Sequence, residues 1–212
     1  MKSKRGGPLA LLTKEEITPI LNSDDHRQIF IDPLLSHDQV GAVSVDLRLG
    51  VDFLVSVQTR TASVQLHHEG ASPNAFFQPI RRDVGDTFLV HPSQAVLATT
   101  LEYIGLPLDV YADLNARSSY QRLGIAIGSH FQPGFRGCAS LEIFNHSNTP
   151  VELVIGSRIA QARFYRVSKE NPYIGADLPR KYLGNVRPTN SKAHHDADLK
   201  VLSKLAKDEW ST

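Results

Sequence analysis

Two short segments of the chain carry the side chains best suited to chemistry. The first is Arg117-Ser118-Ser119-Tyr120-Gln121-Arg122-Leu123-Gly124. Two adjacent hydroxyls just before a short helical stretch can cap it and leave free backbone amides pointing at an anion. Arg122 follows Ser119 by about one helical turn, so its guanidinium can join the same site. The segment is a candidate phosphate cradle, although taken alone it fits an ordinary capped turn with a solvated arginine more simply.

The second segment holds a carboxylate inside an apolar strand pattern. Glu142 stands between Leu141 and Ile143, so alternation along a strand aims it opposite its neighbours, into a pocket or to solvent. Pattern alone favours the solvent-facing interpretation. In a partly dry pocket, the same carboxylate would be suited to general acid–base work. The Pro133-Gly134 pair upstream predicts a turn that leads into this strand.

Taken in order, these motifs resemble those of the dCTP deaminases in the dCTP deaminase and dUTPase superfamily. The matching segments are Val45-Asp46-Leu47-Arg48-Leu49-Gly50, Arg117-Ser118-Ser119-x-x-Arg122-Leu123-Gly124, Pro133-Gly134-Phe135, Leu141-Glu142, Pro172-Tyr173 and Lys181-Tyr182-x-Gly184. The likeness spans roughly residues 10 to 192. It implies a mainly β, distorted jelly-roll or β-sandwich domain of the dUTPase-like type, with short helices and a homotrimeric assembly.

The resemblance also implies a reaction and a set of roles. The reaction is metal-independent, hydrolytic deamination of a cytosine nucleotide, dCTP or a related one, with Glu142 as the general acid and base. Ser118 and Arg122 would help to hold the water and the triphosphate. The other substrate-binding candidates are Arg117, Ser119, His130, Gln132, Gln161, Tyr173 and Lys181. Mg²⁺ is expected to accompany the phosphates. No zinc is expected, because the single cysteine, Cys138, cannot build the cysteine-rich zinc motif of other deaminases.

Two departures from the family pattern lie around the expected base and sugar. Gln132 stands where both branches of the superfamily usually carry a sugar-contacting aspartate. The segment between Gly124 and Gln132, which lines the base in that family, is also a few residues shorter than in typical dCTP deaminases. Gly128, Ser129 and His130 occupy what remains of it. We therefore expect retained chemistry with an altered substrate choice, such as a ribonucleotide or a modified cytosine nucleotide.

Two alternative functions stay open. The segments 143–147 and 156–161 also look like those of the sister dUTPases, so a nucleotide diphosphohydrolase is one alternative. Against it, those enzymes lack the glutamate found here as Glu142, and their glycine-rich arm is not seen in this sequence. The other alternative is a catalytically inactive nucleotide-binding or regulatory protein on the same fold. Gln132 and the shortened segment favour it, whereas the surviving Glu142 and Arg122 disfavour it.

The remaining pattern predicts the elements that must position these residues. Alternation from Val43 to Leu49 predicts a strand with one buried face. The other predicted strands are Val51–Val57, Thr87–Val90, Ala95–Thr99, Ser140–Asn145, Val151–Ile155 and Ile159–Tyr165. A short helix is predicted over residues 14–21, capped by Thr13 with Glu16 and interrupted by Pro19. Residues 58–83 predict a long loop or a hairpin insertion.

Composition sets the outer limits of the function. The chain has 212 residues with 23 basic and 22 acidic ones, a balance that gives no footprint for nucleic-acid binding. No apolar run is long enough for a membrane helix, and we expect a cytoplasmic protein. Residues 1–192 are expected to form one domain. Residues 193–212 are expected to form a C-terminal helical extension, capped near Asp196 or Asp198, that packs on its own domain or on a neighbouring subunit.

Overall fold

The computed structural model describes residues 10–24, 27–60, 63–64, 76–170 and 182–208. Within these ranges the strands are β1 (Ala10–Leu11), β2 (Phe30–Asp32), β3 (Val45–Ser56), β4 (Phe77–Arg81), β5 (Thr87–Val90), β6 (Ala95–Gly105), β7 (Val110–Ala116), β8 (Ile125–Phe131), β9 (Arg136–Asn145), β10 (Val151–Val154) and β11 (Arg158–Arg166). The α-helices are α1 (Lys14–Ile17), α2 (Ser118–Gln121) and α3 (Ala197–Asp208). Single turns of 3₁₀ helix cover Thr18–Ile20, His37–Gln39 and Ala193–His195. The prediction of a mainly β domain with short helices is confirmed.

Six strands close into a ring. The order β11-β7-β8-β9-β6-β3 is antiparallel throughout, and the first part of β3 pairs back onto β11. Strands β1, β2 and β4 add to β11, β6 and β3, while β5 and β10 form a separate two-stranded sheet. Closure pairs backbone edges that an open sheet would expose to other chains.

The core lies inside the ring and continues under the small sheet. Along β7, Val110, Ala112, Leu114 and Ala116 are buried, whereas the alternate residues are only half-buried. This period of two is what a strand with one core-facing side requires. Phe53 of β3 stacks on Phe88 of β5 with ring centroids 4.4 Å apart, and this contact joins the ring to the small sheet.

Several predicted elements differ in extent from those observed. The two strands predicted on either side of residue 50 are one continuous strand, β3, which passes through Gly50. A Cβ at that glycine would lie 2.7 Å from the carbonyl oxygen of Thr99, so β6 can approach β3 closely only because the side chain is missing. The predicted N-terminal helix changes to a 3₁₀ turn after Ile17, immediately before Pro19. In the 58–83 insertion, residues 77–81 return as β4 and pair with β3.

The helix expected in the C-terminal extension is present as α3. Its apolar side chains Val201, Leu202 and Leu205 are each more than half exposed. The described part of the chain therefore gives these three side chains no packing surface on their own domain. Packing against a neighbouring subunit stays a prediction. None of the helices among the described residues is long and apolar enough to cross a membrane.

A buried carboxylate joins β6 to β3. Glu102 is fully buried and accepts hydrogen bonds from the backbone nitrogen of Arg48 at 2.9 Å and from Nε2 of Gln39 at 3.1 Å. The register between β6 and β9 shifts between Thr99 and Tyr103, the stretch that contains Glu102, and the carboxylate supplies an acceptor for the Arg48 amide. Burial raises the pKa of Glu102, and the hydrogen bonds from Arg48 and Gln39 oppose that rise only in part.

This raised pKa predicts a pH-dependent stability. Because the folded protein holds the Glu102 proton more tightly than the unfolded chain, whose value is near 4.5, the stabilisation is complete below pH 4.5. It is lost as the pH rises through the folded pKa. The free energy of unfolding of the wild type should therefore fall relative to Glu102→Gln between pH 4.5 and neutral pH, measured by urea denaturation. Glu152→Gln, on the exposed side of β10, is the matched control. A constant difference between wild type and Glu102→Gln over this range would contradict the prediction.

Candidate active site

A cavity of about 860 Å³ lies beside strands β7, β8 and β9. Three of the predicted site residues line it, namely Glu142 of β9, His130 of β8 and Gln132 in the turn after β8. The lining also includes apolar side chains of β6 and β9, such as Leu97 and Leu141. The strand predicted at residues 140–145 therefore does place its glutamate at a cavity.

The register across the ring fixes which side chains share a face with Glu142. Its direct partner is Gly128, whose partner on the next strand is Asn115. Asn115 in turn pairs with Gln161, and Gln161 pairs with Asp46. Directly paired residues point to the same side of a sheet, so these five residues form one row across five strands. Glu142 and Gln161 are three strand spacings apart in this row, about 14 Å along the sheet.

Glu142 itself is exposed in the single protomer, while its neighbours Leu141 and Ile143 are buried. Alternation thus aims the carboxylate away from the core, as the sequence indicates. The described part of one chain does not enclose Glu142 in a partly dry pocket, because the cavity is open on the side of the ring where Gly128 and His130 are also exposed.

The residues of the candidate phosphate cradle, 117–124, form a second group outside the lining of this cavity. Arg117 places its Nε 3.2 Å from Oδ2 of Asp46, and Gln161 donates from Nε2 to Oδ1 of the same carboxylate at 3.0 Å. Asp46 is buried, so it anchors both side chains to the ring where β3 meets β11. Ser118 and Ser119 lie on the single turn of α2, Arg122 follows directly after it, and all three are exposed.

Local structure explains why the motif ends in glycine. Gly124 has a φ of +85°, and a Cβ there would lie 2.7 Å from Cβ of Ser147. Its carbonyl accepts a hydrogen bond from the backbone nitrogen of His146 at 2.8 Å. The chain can therefore leave α2, pack tightly on the turn after β9 and enter β8 only with glycine at this position.

Part of the C-terminal segment forms another wall of the cavity. Tyr182 and Ser191 line it. The backbone between them is held at the start of β9, where Gly184 donates to the carbonyl of Arg136 at 2.8 Å and Cys138 donates to the carbonyl of Asn185 at 2.9 Å. Tyr182, from one of the segments that resemble the family, thus lines the same cavity as Glu142 of the same chain. Tyr173 and Lys181, the other candidates from this tail, lie outside the described residues.

The sequence interpretation missed a polar group on β7. Tyr111, Asp113 and Asn115 all line the cavity. The hydroxyl of Tyr165 donates to Oδ2 of Asp113 at 3.3 Å, and within the described chain Oδ1 of that carboxylate is buried without a hydrogen-bond partner. Burial and the nearby Asp113 carboxylate together raise the pKa of Tyr111. The alternation of residues 110–116 was the signal that could have revealed this strand.

His130 and Gln132 differ in their surroundings. The His130 ring is exposed and lies over Tyr111, with centroids 6.3 Å apart. Gln132 is exposed at the cavity rim, at the turn that the Pro133-Gly134 pair predicts. Among the described residues, no group of three or more histidine, cysteine, aspartate or glutamate side chains is arranged to hold a metal ion.

Comparison with known proteins agrees with the motifs. The profile of a family described as dCTP deaminase-like matches residues 11–167. A protein of Methanosphaera stadtmanae named "dCTP deaminase, dUMP-forming" is 34% identical over 196 residues, which cover 90% of this chain and 98% of that protein. A protein of Dictyoglomus thermophilum with the same name is 37% identical over 163 residues, covering 74% of this chain and 82% of its own length.

A solved structure shares the fold. The 2'-deoxycytidine 5'-triphosphate deaminase from Agrobacterium tumefaciens superposes with a TM-score of 0.56 at 22% identity, over 74% of this chain and 48% of that one. The predicted mainly β, dUTPase-like fold is confirmed, while the homotrimeric assembly stays a prediction. The prediction of a dCTP deaminase-like enzyme is confirmed at the level of the curated names. With its motifs in order and the profile covering most of its length, the chain belongs to the dCTP deaminase-like family.

Proposed function

We propose that this protein removes the exocyclic amine of a cytosine nucleotide by hydrolysis, with Glu142 as the general acid and base. One observation carries the proposal: a glutamate projects from an otherwise core-forming strand into a cavity of about 860 Å³. The curated relatives are named dCTP deaminases, which favours this chemistry over other uses of a carboxylate.

A single carboxylate is sufficient for the proton transfers of this reaction. As the oxygen of water adds to C4 of the base, Glu142 takes one proton from the water and delivers it to N3. The second proton of the water then goes through the same carboxylate to the amine, the C4–N bond breaks and ammonia leaves. The water oxygen stays as the carbonyl of uracil. No metal takes part in these steps, and Mg²⁺ would accompany the phosphates.

The proposed active form is a homotrimer in which each site combines two chains. The exposed Ser118, Ser119 and Arg122 lie outside the cavity of their own chain, which favours their use at the cavity of a neighbouring copy. There, Ser118 and Arg122 would hold the water and the triphosphate. Arg117 would contribute to the same phosphate site. Cyclic symmetry makes the three sites equivalent.

The remaining candidates would complete the substrate site. Ser119, Gln161, Tyr173 and Lys181 would bind phosphate. His130 and Gln132 line the cavity and would meet the sugar or the base. Because Gln132 is a neutral amide, a ribonucleotide or a modified cytosine nucleotide stays a candidate beside dCTP. The proposed location is the cytoplasm, with no nucleic acid or membrane as a partner.

A second catalytic step has specific support. Both curated relatives described above are named dUMP-forming, so a pyrophosphate-releasing step after deamination is the second candidate function. The two outcomes differ in product, because deamination alone leaves the triphosphate intact whereas the combined reaction yields the monophosphate and pyrophosphate.

Glu142→Gln tests the proposed role of the carboxylate. The amide has the same shape but cannot accept the proton, so we expect kcat for ammonia release to fall about 10²- to 10⁴-fold while the nucleotide still binds. Ammonia release and calorimetric titration with the nucleotide measure the two quantities separately. Glu152→Gln, on the small sheet away from the cavity, should leave both unchanged. Wild-type turnover in the Glu142→Gln protein would contradict the assignment of Glu142 as the general acid and base.

Mixing two inactive variants tests the shared site. Glu142→Gln and Arg122→Ala should each be inactive alone but regain activity when unfolded and refolded together. About a quarter of wild-type activity per chain is expected, because three quarters of random trimers are mixed and each holds one intact site. Mixed trimers without any recovered activity would show that Glu142 and Arg122 of one chain serve the same site.

A further inference from the structure

A glycine lies at the centre of β8 where neither backbone nor packing calls for one. Gly128 is flanked by Ile127 and Ser129 within the strand, and a Cβ built on it would meet nothing within 4 Å. It is not among the glycines with positive φ. Glycine inside a strand weakens it, and it often marks a place where a ligand approaches the backbone. The glycine therefore leaves an empty space above the backbone at Gly128.

This space lies between two polar side chains on one face of the ring. Glu142 and Asn115 are the direct partners of Gly128 on its two sides, and all three residues line the cavity. The Cα atoms of Glu142 and Asn115 are two strand spacings apart, about 10 Å. Two upright side chains at this separation leave a gap about as wide as one pyrimidine ring with its exocyclic groups.

Asn115 has the chemistry to recognise the base. It is half-buried, and within the described part of the chain its carboxamide makes no side-chain hydrogen bond. An amide N–H can donate to the ring carbonyl O2, which lies two ring positions from the reacting carbon C4. Deamination leaves O2 untouched, so the same contact can hold the substrate and its uracil product.

We infer that Gly128 is the floor of a slot for the pyrimidine ring, and that Asn115 is a specificity-determining residue which donates to O2 while Glu142 acts at C4 and N3. This inference rests on the proposed function, because that function places the reacting edge of the base at Glu142. It assigns base selection to β8, which pairs with the strand of Glu142, and to β7 on the far side of β8.

Gly128→Ala separates ligand binding from stability. The added methyl group should leave the melting temperature unchanged or raise it, because the site is open and alanine stiffens the unfolded chain. It should raise Kd for dCTP and for dUMP at least tenfold, since the methyl group occupies the floor of the slot. Gly41→Ala, outside the cavity and with its nearest contact at 3.4 Å, is the control and should change neither quantity.

Asn115→Ala tests the contact with O2. The wild type should bind a cytidine nucleotide more tightly than its 2-thio analogue, because sulfur is the weaker acceptor, and Asn115→Ala should lose most of that preference. A role of Asn115 in folding alone would weaken both ligands equally. Unchanged Kd in Gly128→Ala, or a retained oxygen-over-sulfur preference in Asn115→Ala, would overturn the inference.

The two proposals fail in different ways. If the wild type binds dCTP but releases no ammonia, the proposed function fails and the binding measurements still decide on the slot. If the wild type deaminates its substrate and Gly128→Ala does so equally well, the slot fails alone. If the wild type neither binds nor converts any cytosine nucleotide, both proposals fall.

Discussion

The register of the closed strand ring decides where each functional side chain lies. Directly paired residues face the same side, so the row from Glu142 through Gly128 and Asn115 to Gln161 and Asp46 is a consequence of pairing. A slip of one residue in β9 would turn Glu142 into the core and expose Leu141. The buried residues on the inner side of each strand oppose such a slip, and the apolar core thereby fixes the position of the carboxylate.

The same register separates two kinds of chemistry within one chain. The cavity side of the row offers the Glu142 carboxylate, the Asn115 amide and open backbone at Gly128, a combination suited to a flat heterocycle. At the other end, Asp46 holds Arg117 and Gln161 next to the exposed turn of α2. Because Asp46 neutralises part of the positive charge of Arg117, it restrains that side chain and leaves Arg122 as the exposed cation of the motif. In the proposed homotrimer, neighbouring copies would combine these two ends in one site.

Sequence reasoning predicted several of the strands from their apolar residues. The segments 87–90, 140–145 and 151–155 match β5, part of β9 and β10, and the predicted turn at Pro133-Gly134 is present. Strands β7 and β8 were not predicted. Their outward positions include Asp113 and Asn115 on β7 and Gly128 on β8, and these residue types are depleted in strands. The polar and glycine residues that line the cavity therefore also made strands β7 and β8 difficult to predict.

The candidate site was predictable only in part for a similar reason. The motif order identified Glu142, and the structure brings His130 and Gln132 to the same cavity. Local pattern could not show that the candidate phosphate cradle lies outside that cavity, because this depends on the closure of β3 onto β11. It also gave no role to Asn115, whose position opposite Glu142 depends on an intervening strand that was itself missed.

The most direct test of the central claim is ammonia release by the wild-type protein from dCTP, CTP, dCMP and CMP, with the nucleotide product identified in each case. The account predicts ammonia in equal amount to a uracil nucleotide from at least one of the four, with the product showing whether pyrophosphate is released as well. If none of them yields ammonia, while dUTP is split to dUMP or a nucleotide binds without turnover, the deaminase assignment is wrong for this chain.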